Sequence, residues 1–165
     1  MKKIGRRKRI GIEKGDDKMI VREDSLILKN VICVEEIIPH EEWFKPALSL
    51  RRNLVNEDIY YTSPVVFKAE EMENEPAFGK YTYYIGINTE VEVAEEAAFR
   101  QLDFLEIYPA IYVRCAEIEE LDKAYELLRK HAEENDLEIE ESFYHVCFDI
   151  FDGVIMDIYA RIKGE

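Results

Sequence analysis

Apolar and polar positions along this chain follow two alternating periods. Leu26 to Ile37 is a β-branched, apolar run that reads as a strand, closed by Pro39, which has no amide hydrogen to offer a ladder. Trp43, Ala47, Leu50 and Leu54 then recur at spacings of 4, 3 and 4, one face of a helix that Phe44 and Leu48 widen. Pro46 suits a first turn but costs about 3 kcal/mol in a helix interior. Regular helix is therefore expected from near Lys45, with His40 to Phe44 as an irregular entry. Tyr60 to Lys68 and Tyr81 to Val93 read as strands, joined by the acidic segment Glu70 to Gly79 with its Pro76. Ala94 to Leu102 shows no clear period, and Phe104 to Cys115 reads as one further strand.

The second half repeats this order. Ile118, Leu121, Tyr125, Leu128 and Ala132 step by 3, 4, 3 and 4, and Glu119 to Lys123 and Glu126 to Lys130 are i,i+4 pairs outside that face. Asn135 is a suitable helix end. Ser142 to Phe151 and Val154 to Ile162 flank Asp152-Gly153 as a hairpin, with Val154, Met156, Ile158, Ala160 and Ile162 on the core face and Ile155, Asp157, Tyr159 and Arg161 on the other. Strand, helix, strand, strand thus occurs twice, over about residues 26–93 and 104–163. Ser63 to Phe67 lies 81 residues before Tyr144 to Phe148. The class expected is α+β: a duplicated unit forming an antiparallel sheet with two main helices packed on it.

A chain of 165 residues with 47% hydrophobic positions has the material for one ordinary domain, taken as 19–165. No apolar run approaches the roughly 18 to 20 residues of a membrane span, and the basic start is not followed by a signal-peptide core, so no membrane contact and a cytoplasmic location are expected. The net charge of −14 is unevenly placed. Residues 1–18 hold eight Lys/Arg and three Asp/Glu, a net of +5, which leaves 14 positive and 33 negative charges, a net of −19, on the rest. A body that acidic repels phosphate backbones, so direct nucleic-acid contact is not expected, and the head is too short and unpatterned for a helix-turn-helix. The head itself has two readings: a basic arm for nucleic acid or an acidic partner, and translated leader. In the second, the codons for Lys14 to Met19 would contain a purine-rich ribosome-binding stretch just before a methionine codon.

Catalytic chemistry finds little support. Cys33, Cys115 and Cys147 are far apart, lie in expected strands and form no C-x-x-C pair, which points to buried reduced thiols. Cys147 and His145 share a strand face but lack an orienting third group. His40, His131 and His145 have no neighbours at metal-ligand spacing. The seven Glu-Glu pairs point their members to different sides, and no P-loop, dinucleotide fingerprint or nucleophile elbow is present. No catalytic residue, metal or cofactor is expected.

Ile107-Tyr108-Pro109-Ala110-Ile111-Tyr112-Val113, the helix carrying Leu121, Ala124, Tyr125 and Leu128, and the closing Met156-Asp157-Ile158-Tyr159 together resemble the GyrI-like small-molecule-binding domain. This is the effector-binding module of multidrug-sensing regulators, which also occurs alone. The resemblance implies a small apolar or aromatic ligand in a cleft between the two repeats, bound without catalysis and without a DNA-reading module. The pocket Glu that faces cations in drug-sensing members aligns with His145, which leaves the ligand class open. Aromatic residues suit such a cleft, and Trp43, Tyr61, Tyr84, Tyr112, Tyr144 and Tyr159 are the candidate lining, with His145. The first alternative is an acidic interaction module of the gyrase-inhibitor type that engages a basic partner protein, and the second is a hydrolase, which some members of the fold resemble and which would need a carboxylate in the cleft that the pattern does not locate.

Overall fold

A computed structural model of the chain describes residues 19–150 and 153–164. The basic head and the Asp152 position of the expected turn lie outside the described residues. Eight strands form one antiparallel sheet: β1 (Arg22–Glu23), β2 (Leu26–Pro39), β3 (Val65–Glu71), β4 (Phe78–Gly86), β5 (Phe99–Ile107), β6 (Ala110–Cys115), β7 (Tyr144–Ile150) and β8 (Gly153–Arg161). Two helices, α1 (Lys45–Asn56) and α2 (Leu121–Glu134), pack on it, each preceded by a three-residue 3-10 turn. Pro46 stands in the first turn of α1, where its missing amide costs nothing.

The strand order, β1-β6-β8-β7-β3-β4-β2-β5, exposes the duplication. About the central β7–β3 pair the two halves mirror each other, β8 matching β4 and β6 matching β2. Both helices bury every fourth residue, Pro46, Leu50 and Leu54 in one and Ala124, Leu128 and Ala132 in the other. The 81-residue spacing read between the strands needs correction by one. Val66 faces away from the helices and Cys147 toward them. Strand side chains alternate with period two, so equivalent positions on β3 and β7 require an even offset.

Connections force the sheet to curl. β1 lies at one edge and β2 beside the other, yet Glu23 and Leu26 are three Cα steps, at most about 11 Å, apart. The same holds for Ile107 on β5 at one edge and Ala110 on β6 near the other. The two edges therefore meet at one end, and the sheet has an outer face covered by helices and an inner face enclosed by its own curvature. Leu28, Val31, Cys33, Val66, Tyr84, Leu105, Ile107, Ala110, Tyr144, Val146 and Tyr159 form a second apolar cluster there, apart from the helix-side core. Asn30, at φ +52°, is where β2 changes step: Leu26 and Leu28 face inward before it, Val31 and Cys33 after it.

Several expectations are corrected by this arrangement. Phe104 to Cys115 is not one strand. Pro109, unable to donate to a ladder, separates β5 from β6, and the two pair at opposite ends of the sheet. β5 takes in part of the stretch without a period, β3 starts at Val65 instead of Tyr60, and β4 ends at Gly86 instead of Val93. On β8 the supposed outward residues Asp157 and Tyr159 are buried, because the face opposite the helices is enclosed.

A candidate ligand-binding face

Register places the candidate residues of the inner face in two neighbouring cross-strand rows. One runs Tyr112 (β6), Tyr159 (β8), Tyr144 (β7), Lys68 (β3), Thr82 (β4) and Glu35 (β2). The other runs Arg114, Asp157, Val146, Val66, Tyr84, Cys33 and Arg100 over the same strands and on to β5. Both rows cross the β7–β3 junction of the two halves. Adjacent strands are about 4.8 Å apart, so Lys68 to Tyr112 spans about 14 Å.

The rings interact directly. Tyr112 and Tyr159 stack at 4.9 Å with 15° between planes, and Tyr84 and Tyr144 approach at 6.2 Å. Lys68 Nζ and the Arg161 guanidinium both sit over the Tyr144 ring, 5.5 and 5.2 Å from its centre. Burial raises the pKa of Tyr84 and Tyr144 and pushes Tyr159 up to about 12, so all three are neutral phenols. The hydroxyls of Tyr84, Tyr112 and Tyr159 make no hydrogen bond to a described residue, and Arg161 is the polar neighbour of Tyr144. None of these hydroxyls is sealed, since the buried unpartnered side-chain atoms among the described residues are Arg51 Nε and Arg161 Nε. Apolar ring bodies under open polar tips are what a small-ligand surface requires.

A bidentate pair braces one end of this face. Arg114 Nε and Nη2 donate to the two carboxylate oxygens of Asp157 at 2.7 and 3.0 Å. The Asp157 side chain is 7% exposed and that of Arg114 62%, so the carboxylate is fixed in the wall while the guanidinium reaches solvent. Sequence reasoning passed over Lys68, Arg114, Asp157 and Arg161; for Arg114, Asp157 and Arg161 the signal available was their i,i+2 spacing from Tyr112 and Tyr159, and Lys68 has no such neighbour.

The structure thus brings Tyr84, Tyr112, Tyr144 and Tyr159 together and sets Trp43, Tyr61 and His145 elsewhere. Trp43 packs against the helix-side core, its carbonyl accepting from the Tyr83 hydroxyl. Tyr61 is exposed beneath Arg51. His145 is buried on the helix side, stacked on Phe67 at 4.5 Å and 2°. Tyr125 O–H donates to its Nε2 at 2.6 Å, and its Nδ1–H donates to the Phe67 carbonyl at 3.3 Å. Burial lowers its pKa to about 4. Neighbouring Cys147 has its thiol pushed up to about 12 by burial, so these two form no thiolate–imidazolium pair.

Three cavities lie around α1. A cavity of about 640 Å³ opens between α1, β2 and the segment before β5, lined by Ile32, Leu50, Leu54 and Phe99 with Glu36, Glu57 and Glu92 at its rim. Smaller ones of about 370 and 280 Å³ share Arg51, Cys147 and Asp149. The second helix borders none of the three, because its Ala124 and Ala132 let it sit close to β6 and β8.

Comparison with known proteins agrees with this fold. Residues 27–164 match the model of DUF5085, a domain of unknown function. No curated protein matches the chain. The C-terminal domain of EcmrR superposes with a TM-score of 0.66 at 14% identity, over 89% of this chain and 99% of that domain. EcmrR in its complex with DNA gives 0.65 at 12% identity over 89% of this chain, which spans only 58% of that protein's length. A hydrolase from Listeria innocua gives 0.56 at 9% identity, over 86% of this chain and 92% of that one. At these identities the likeness is one of fold. Among the described residues no helix is long and apolar enough to cross a membrane.

Proposed function

The chain belongs to the DUF5085 family, and from that premise we propose that it binds a small apolar or aromatic molecule on the inner face of the curled sheet, without catalysis. The observation that carries this reading is the row Tyr112, Tyr159, Tyr144 on three strands of the second half, ending at the junction with the first, with ring bodies buried or half-buried and hydroxyls open. The GyrI-like resemblance and the fold shared with the C-terminal domain of EcmrR support it. Direct nucleic-acid contact is no part of the proposal, since the body carries a net of −19.

A thermal-shift screen of small aromatic compounds tests the reading, because a ligand that binds only the native state raises its apparent stability. Stabilisation that Tyr159→Ala and Tyr112→Ala abolish, in variants that keep the cooperative unfolding transition, is the expected result. Hits unaffected by both variants would remove the site from the inner face. No hit, together with salt-sensitive capture of a basic protein, would favour the acidic interaction module instead.

A further inference from the structure

The ligand's charge is legible in what surrounds the tyrosines. The body carries a net of −19, yet Lys68, Lys80, Arg100, Arg114 and Arg161 come together with the inner tyrosines or the rim beside them. Their carboxylate neighbours are Asp157, Glu35, Glu70 and Glu140. Asp157 is committed to Arg114, and Glu35 to Lys80 at 2.8 Å. The two cations over Tyr144 hold their partners loosely: Lys68 reaches Glu70 at 3.9 Å and Arg161 reaches Glu140 at 3.6 Å. Arg161 also donates from Nη2 to the Glu106 carbonyl, while its buried Nε has no partner among the described residues. Side-chain exposure is 22% for Lys68 and 26% for Arg161, so both charges are partly desolvated and under-paired.

Resting on the proposed function, we infer that the inner face takes an aromatic acid. Its carboxylate would lie beside Tyr144, where Lys68 from β3 and Arg161 from β8 both reach the ring, and its flat body would run along Tyr159 toward Tyr112. The roughly 14 Å from Lys68 to Tyr112 accommodates a one- or two-ring aromatic carboxylate. A neutral aromatic would gain the stacking and forgo the charge-assisted hydrogen bonds; a cation would meet two like charges.

Calorimetric titration of the full chain with 2-naphthoate, its methyl ester and 2-naphthylmethylammonium tests this. The acid should bind about tenfold or more tighter than the ester, as one charge-assisted hydrogen bond implies, and the ammonium more weakly than either. Lys68→Gln should weaken the acid by about tenfold and the ester by much less, and Lys68→Arg should restore the acid. Equal binding of acid and ester, or indifference of the acid to Lys68→Gln, would overturn the inference and leave the proposed binding face standing. Failure of all three probes to bind would overturn both.

Discussion

Both faces of the sheet are built on tyrosine, and they use it differently. On the helix side each buried hydroxyl has a protein partner: Tyr83 donates to the Trp43 carbonyl, Tyr125 bonds His145 Nε2 at 2.6 Å, and Tyr81 bonds His40 Nδ1 at 2.7 Å. On the inner side Tyr84, Tyr112 and Tyr159 bury their rings to different degrees and leave their hydroxyls without one among the described residues. A satisfied hydroxyl makes a tyrosine a core residue, and an open one over an apolar ring makes it a contact surface. The helix side also holds His145 neutral by burial, whereas the inner face is fringed with cations.

The largest predicted contrast is in packing. Phe67 touches Trp43, Tyr81, Tyr83 and His145 on the helix side, so Phe67→Ala should cost about 3 to 5 kcal/mol in urea unfolding. Half-buried Tyr112 should cost only about 1 kcal/mol when truncated to Ala. Equal losses would mean that the inner face is simply a second core. The helix side should next show itself in pH dependence. An unfolded histidine takes up a proton near pH 6.5, whereas buried His145 does so only near 4. Its contribution to stability is complete above pH 6.5 and is lost as pH falls toward 4. Relative to His145→Gln, the wild type should lose roughly 3 kcal/mol between pH 7 and pH 4. A constant difference between the two proteins across that range would contradict the placement of His145. The smallest contrast is in single hydroxyls. Tyr125→Phe, which orphans His145 Nε2, should cost about 1 to 3 kcal/mol, and Tyr159→Phe less than about 0.5. Reversal of that order in thermal unfolding would contradict the assignment of satisfied and open hydroxyls.

How much of this was legible in the sequence depends on the element. The helices were, down to the start at Lys45 and the irregular entry before it, because a 3.6-residue period and Pro46 are local signals. The final hairpin and the α+β class followed from the same kind of pattern. The curl was not, since it comes from β1 and β5 pairing with strands of the opposite half, a long-range event that no local pattern encodes. Facing failed for the same reason. Tyr144-His145-Val146-Cys147-Phe148 shows no alternation of apolar and charged positions, so the pattern cannot say which side carries Tyr144 and which His145. Choosing aromatics by type named Tyr84, Tyr112, Tyr144 and Tyr159, which share one face, and also drew in Trp43, Tyr61 and His145 from elsewhere. The cations were overlooked because a charged residue on an expected outward face reads as a solvated one.

Chemical-shift mapping of the tyrosine rings during a titration with a small aromatic ligand tests the central claim most directly. Tyr112, Tyr144 and Tyr159 should move together with saturation, while Tyr83 and Tyr125 on the helix side stay in place. Saturable shifts confined to the cavity beside α1, at Leu50, Leu54 and Phe99, would contradict the account.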